Sequence, residues 1–414
     1  MKSESCTSDL KPMKLRLQFS AMKLYRKVWH RFRELWPVKG FCFDRPIVLL
    51  QSDDWGRAGV RDCEGFQQFQ SMGLELGERP HDFYSLETAE DISALRQVLR
   101  RHRDSTGRPS CMGLNFVVAN LDLKRMAAHG LREIHLLSLA EGLPDGWSRP
   151  GLWQAYRDCV AEGLCYPALH GTTHFCRVAV ERYMNDGGER GELLRRLWHA
   201  GTPYIHWRMP WIGYEYWDPE KPENERFLSA EIQSELIGSA VGAFAKLFSA
   251  VPRSACAPGY RANADTHRAW AEYGIRVAQN GSGSLMPPHI DRLGMLQLYR
   301  NVDFEPAVDP AFSVERCVRR AEDCFTRGIP AIVSVHSINF HSSVKDFRSH
   351  TLECLDQFLS AIEAKHTDIL YLHDEDLYDL VSKGTCENSG GVARVNVTRK
   401  SFTKEQFAKR QISR

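Results

Sequence analysis

The feature that most constrains this chain is a recurring pair: a short apolar run followed at once by residues able to do chemistry. Pro46-Ile47-Val48-Leu49-Leu50-Gln51 passes directly into Ser52-Asp53-Asp54-Trp55-Gly56. A run without polar alternation is the signature of a strand buried on both faces. Pro167-Ala168-Leu169 repeats the pattern and leads into His170-Gly171-Thr172-Thr173-His174. Ile332-Val333-Ser334-Val335 does so again and ends in His336. Further strands are expected at residues 112–118, 254–257, 275–279, 296–299 and 369–372.

Helical patterns lie between these strands. Thr88 caps one over residues 88–103, with Asp91 three positions on and Ile92, Leu95, Val98 and Leu99 as its buried stripe. A second, over 229–248, carries Ile232, Leu236, Ala240, Phe244 and Leu247 on one face, and others follow near 265–273 and 352–364. Apolar strands alternating with helices define an α/β fold with a parallel sheet and helices outside. The number of repeats favours a (β/α) barrel. A doubly wound sheet would normally carry a Gly-rich phosphate loop after its first strand, and Asp53-Asp54-Trp55-Gly56 is unlike one. In barrels the active groups sit where strands end, and the polar residues fall there.

At 414 residues the chain is long enough for a large core, and residues 45–381 are expected to form one barrel. Residues 1–44 read as a basic amphipathic segment, and 382–414 as a polar, mobile tail. The segment suits either peripheral contact with an anionic membrane or a helix packed on the domain's outside. No stretch has the apolar length of a secretory signal or a membrane span, which gives the expectation of a cytoplasmic protein, peripheral at most at the inner membrane face. A formal net charge of +2 argues against a nucleic-acid partner, which requires a clustered cationic surface. The 12 cysteines include no C-x-x-C pair, so buried free thiols are expected, Cys42, Cys111, Cys165 and Cys256 among them.

Asp53-Asp54 is the one Asp-Asp dipeptide. Adjacent carboxylates repel, and a cation relieves them most simply, although an Asp-rich turn is the plain alternative. His170 and His174, four apart, can reach one metal. His336 at a strand tip is either a satisfied core residue or a group that titrates near neutrality and protonates a leaving group. Together the three strand ends carry Asp-Asp, His-x-x-x-His and His toward one barrel mouth.

In these motifs the chain resembles the polysaccharide deacetylase family, the NodB-like carbohydrate esterases. Ser52-Asp53-Asp54-Trp55-Gly56 matches the family's Asp-Asp-Gly with a tryptophan inserted. His170 to His174 matches His-Ser/Thr-x-x-His with Gly171 at the hydroxyl position, and Ile332 to His336 matches the last motif. The likeness spans roughly residues 45–375 and implies a distorted (β/α) barrel. It also implies one divalent metal, usually zinc, with cobalt, nickel or manganese as substitutes. Asp54, His170 and His174 would hold the metal, Asp53 would be the general base and His336 the general acid. Two motifs depart from the family. The third-motif arginine falls on Cys256 in Cys256-Ala257-Pro258-Gly259-Tyr260-Arg261, with Arg261 the candidate to replace it. The Asp-x-x-Trp motif is not visible near Gln279.

The expected function is removal of an acetyl group, N-acetyl before O-acetyl, from a sugar or glycan such as a cell-surface polysaccharide precursor. Trp55, Tyr260, Arg261, Asn339 and Trp211 are the expected substrate contacts, since flat aromatic faces suit sugar rings. The alternatives are a metal-dependent amidohydrolase of small linear amides and a silent glycan-binding barrel.

Overall fold

The computed structural model describes residues 38–281, 285–388 and 391–402. Its contacts divide the chain into Phe41–Thr398 and a second unit of the two termini, Met1–Gly40 with Arg399–Arg414. Of that second unit only residues 38–40 and 399–402 are described, all as strand. The basic segment at 11–36 lies outside the described residues. The polar C-terminal stretch contains an antiparallel hairpin, Thr385–Asn388 with Gly391–Arg394, and residues 403–414 lie outside the described residues.

Phe41–Thr398 is built on a ten-stranded sheet. Its strands are β1 (Ile47–Trp55), β2 (Met112–Phe116), β3 (Cys165–Leu169), β4 (Ser254–Cys256), β5 (Val277–Asn280), β6 (His289–Ile290), β7 (Leu296–Tyr299), β8 (Val302–Asp303), β9 (Ala331–His336) and β10 (Leu370–Tyr371). The order is β8-β9-β1-β2-β3-β4-β5-β7-β6, with β10 also on β1. Every pairing is parallel except that of the short β6 with β7. β1 is buried along its whole length, as its unbroken apolar run requires.

The sheet is curled into a barrel. β7 stands five strand steps from β1, roughly 24 Å away in a flat sheet at about 4.8 Å per step. Arg300, just after β7, nevertheless donates to Gln51 on β1 at 3.0 Å. The gap between β7 and β8 is closed covalently: the chain passes through Arg300 and Asn301 into β8, which pairs with β9 on the other side. The Asn301 side chain stitches the seam by accepting from the Ile332 amide and donating to the Pro330 carbonyl.

Helices cover the outside. One of them, Ala89–Arg101, begins at a capping box of Thr88 and Asp91 and buries Ile92, Leu95, Val98 and Leu99, as the sequence pattern predicts. The long helix Ala230–Phe248 corrects its predicted stripe. Ile237, Ala240, Val241 and Phe244 face the core, while Ile232 is 41 % exposed. The helix is rotated because Gln233 is buried instead, donating to the Leu228 carbonyl and accepting from the Thr266 hydroxyl. The cysteine expectation is corrected too: Cys165 is not free, because the turn after Leu152–Ala161 brings Cys159 back to it as a disulfide. Cys111 and Cys256 are buried free thiols as expected, and Cys42 is buried.

Candidate metal and catalytic site

On a regular strand Asp53 and Asp54 would point to opposite faces. Both reach the barrel mouth because the β1–β2 register shifts between Ser52 and Trp55, the signature of a bulge. Asp54 takes φ 73°, a left-handed conformation costly for a residue with a Cβ. Its carbonyl is held there by the Tyr84 hydroxyl at 2.7 Å and the Ser337 hydroxyl at 3.3 Å. The same twist drives Trp55 inward. It is fully buried, stacked on Phe340 and edge-on to Tyr156, and is therefore a core residue rather than the substrate contact expected.

Asp54 Oδ1 is buried with no hydrogen-bond partner, and two imidazoles aim at it: His174 Nε2 at 3.2 Å and His170 Nε2 at 3.5 Å. His170 Nδ1 lies 2.8 Å from the Cys256 carbonyl and donates to it, which leaves Nε2 as the atom facing Asp54. Burial lowers the pKa of this ring, but Asp53 and Asp54 override it and hold it well above the ordinary value, so a metal would displace the Nε2 proton. An orphaned carboxylate oxygen facing two imidazole nitrogens is the donor set of a divalent cation such as zinc. The residues present therefore fit the metal that the family resemblance implies. Burial, with Arg57 and His206 nearby, keeps His174 neutral, the form a ligand requires, against the pull of Asp54.

Gly171 is explained by its neighbour. It sits at φ 98°, where a Cβ would collide with Glu215 Oε2. The other oxygen of Glu215 accepts from the Thr172 and Thr173 amides at 2.8 and 3.3 Å and so fixes the loop carrying both histidines. Burial lifts this carboxyl to about 7 against those hydrogen bonds.

Asp53 is clamped. Arg300 donates to both of its oxygens at 2.6 and 2.7 Å, and Asn115 donates to Oδ1 at 2.6 Å. Burial pushes the carboxyl up, but Arg300 outweighs it, and Asp53 stays well below the usual carboxylate range. Arg300 thus occupies the role assigned to the missing third-motif arginine. Cys256, at that position, has only its thiol 3.9 Å from Asp53. Arg261 does not replace it; its guanidinium lies over Trp217 at 4.6 Å from the ring centroid. Beneath Asp53, Arg300 continues into Gln51 and Gln279, and Asp374 receives Gln51, Gln279 and Ser254.

His336 Nε2 stands 4.0 Å from Asp53 Oδ2. Its Nδ1 meets Glu305 Oε1 at 2.6 Å, and Asn339 donates to the other oxygen of Glu305 at 2.6 Å. Burial lowers the pKa of His336, but Glu305 overrides it and raises the ring to about 9. Asn339 is therefore a fully buried positioning residue, not a substrate contact. Glu305 and Arg300 are the functional residues that sequence reasoning missed.

Asp53, Asp54, His170, His174 and His336 line one cavity of about 520 Å³, together with Tyr260 and Arg261. Trp207, Tyr214 and Trp217 line it as well. Trp211 does not; it is buried against Tyr183.

No family model matches the chain, and no curated protein matches it. Among solved structures it is similar to one described as a probable polysaccharide deacetylase from Pseudomonas aeruginosa PAO1. That likeness has 13 % identity and a TM-score of 0.43, over 82 % of this chain and 92 % of that one. It is also similar to a family 4 carbohydrate esterase from Streptomyces lividans, in complex with acetate, at 13 % identity and TM-score 0.33 over 79 % and 91 %. A CE4 family pseudoenzyme from Bacillus anthracis is similar at 10 % identity and TM-score 0.36 over 81 % and 66 %. All three likenesses are at low identity. What its site does is argued from the geometry above.

Proposed function

We propose that this chain is a metal-dependent deacetylase that hydrolyses an N-acetyl group on a sugar or glycan. The observation that carries the reading is one cavity holding three things. They are a cation-ready triad (Asp54, His170, His174), a carboxylate held ionised (Asp53) and an imidazole held protonated (His336). When bound, a divalent ion supplies Lewis-acid polarisation of the acyl carbonyl and a more acidic water. Asp53 takes the proton of the attacking water, with Arg300 and Asn115 fixing the carboxylate's direction. His336 gives its Nε2 proton to the departing nitrogen, which is too basic to leave as an anion. Glu305 keeps that proton available and fixes the tautomer. Tyr260, whose hydroxyl accepts from Arg300 at 3.0 Å, and Arg261 line the cavity where the sugar would lie.

An arginine on Asp53 supports an active enzyme over a silent glycan-binding barrel, whose best argument was the altered third motif. Residence in the cytoplasm belongs to the same proposal and is supported by the buried free thiols of Cys111, Cys176, Cys256, Cys317, Cys324 and Cys354, although the Cys159–Cys165 disulfide weighs against it. The test is acetate release from N-acetylated and O-acetylated sugars and from small linear amides, using zinc-loaded protein. Asp53→Asn should cost about 10²–10⁴-fold in rate with metal retained. Release from none of these compounds, or full activity in Asp53→Asn, overturns the reading.

A further inference from the structure

The cavity holds more positive charge than the proposed chemistry uses. Arg57, three residues after Asp54, lines it while only 7 % exposed. Its Nε has no hydrogen-bond partner, and the Tyr204 hydroxyl beside it has none either. Its nearest carboxylate oxygen, Asp54 Oδ2, is 3.7 Å from Nη2, too long for a hydrogen bond. The guanidinium lies over the Tyr84 ring at 3.7 Å from the centroid, which orients it, and its one ion pair is this long contact with Asp54, the carboxylate that a bound cation would take.

The carboxylates lining the cavity are Asp53 and Asp54. Arg300 takes the first, and a bound cation takes the second. A buried guanidinium in that setting calls for an anion, and its planar fork suits a phosphate or a carboxylate. Nearer the rim, Arg261 is exposed and, among the described residues, has no carboxylate within ion-pairing distance. The wall tryptophans are covered by cations instead of presenting bare faces to a sugar. Arg79 and Arg208 each lie 4.4 Å from the Trp207 centroid, and Arg226 and Arg261 lie 5.4 and 4.6 Å from that of Trp217.

We propose that the acetylated sugar this pocket accepts carries an anionic group, a phosphate or a carboxylate close to the acetamido carbon, read by Arg57 with Arg261 at the rim. The inference rests on the deacetylase reading for the acetyl group and goes beyond it in naming the substrate class. Trp207 and Trp217 report binding without turnover. The zinc-loaded full chain is titrated with N-acetylglucosamine, N-acetylglucosamine 1-phosphate and N-acetylmuramic acid, and quenching of tryptophan fluorescence is followed. One of the two acidic sugars should bind roughly 10–100-fold more tightly than the neutral one, the scale of a charge-assisted hydrogen bond or two. Which of them does so tells phosphate from carboxylate. Arg57→Met should remove most of that advantage, Arg57→Lys should keep part of it, and Arg261→Ala should reduce it several-fold. Circular dichroism and zinc content check that each variant is folded, and should Arg57→Met fail to fold, Arg57→Lys and Arg261→Ala decide the matter. Equal binding of all three sugars by the wild type, or an advantage untouched in the folded variants, overturns the inference. Arginine-dependent binding without acetate release from any sugar would leave this inference standing and remove the deacetylase reading. Acetate release at the same efficiency from neutral and acidic sugars would do the reverse.

Discussion

Replacing Glu305 by Gln keeps the shape of the pair with His336 and removes its charge, which makes it the cleanest test of the proposed acid. Glu305 lies 2.6 Å from Nδ1 of His336 and holds the ring at about 9 instead of the ordinary 6.5. The sign follows from the raised value: a reaction that needs the protonated ring runs below about 9 and fails as pH rises through it. Without the carboxylate the ring falls toward the ordinary value, and reaches it where Arg300 and a bound cation neutralise Asp53 and Asp54, which also raise it. At pH 8 the protonated fraction would fall from about 0.9 to about 0.03, roughly a 30-fold loss of rate, while at pH 6 the loss stays under about twofold. The side chain of His336 is 39 % exposed, so solvent screening makes that figure a ceiling. Rates of acetate release by zinc-loaded wild type and Glu305→Gln, followed across about pH 5.5 to 9.5, give the answer. The account predicts an alkaline limb displaced downward with the acid plateau preserved. An unmoved limb, or an equal loss at every pH, refutes the assignment of His336 as the acid tuned by Glu305.

Two further outcomes concern stability. Arg300→Met strands the buried Asp53 carboxylate and should cost about 3–5 kcal/mol in urea unfolding, the usual penalty for breaking a buried ion pair; a loss under about 1 kcal/mol would contradict the clamp. Gly171→Ala adds a Cβ that meets Glu215 at φ 98°, and it should lower unfolding stability by about 1–3 kcal/mol and weaken metal retention. Unchanged stability and metal content would mean that the loop relaxes freely.

Much of the fold was legible because burial on both faces leaves a direct trace. β1, β3 and β9 are apolar runs, and the turn from each run into chemistry marks the barrel mouth. The pair Asp53-Asp54 was legible as a site, but the bulge that aims both carboxylates there was not, since a register shift has no composition of its own. That is why Trp55 reads as a substrate contact in the sequence and lies in the core of the molecule. Arg300 and Glu305 escaped for a related reason. Both follow β7 and β8, far along the chain from Asp53 and near no recognisable motif, and only the curl of the sheet brings them to their partners. The signal that existed was modest: a charged residue directly after an apolar strand, Leu296-Gln297-Leu298-Tyr299-Arg300. Asn339 read either as a substrate contact or as a residue orienting the acid, and its bond to Glu305, a residue not yet in view, favours the second.

The most direct test of the central claim is the metal content of the purified full chain after exposure to zinc and dialysis, beside that of His170→Ala/His174→Ala. The account predicts about one tightly held ion per chain in the wild type and none in the double variant, with both folded by circular dichroism. A wild type that retains no zinc, cobalt, nickel or manganese, or a double variant that retains as much as the wild type, would contradict it.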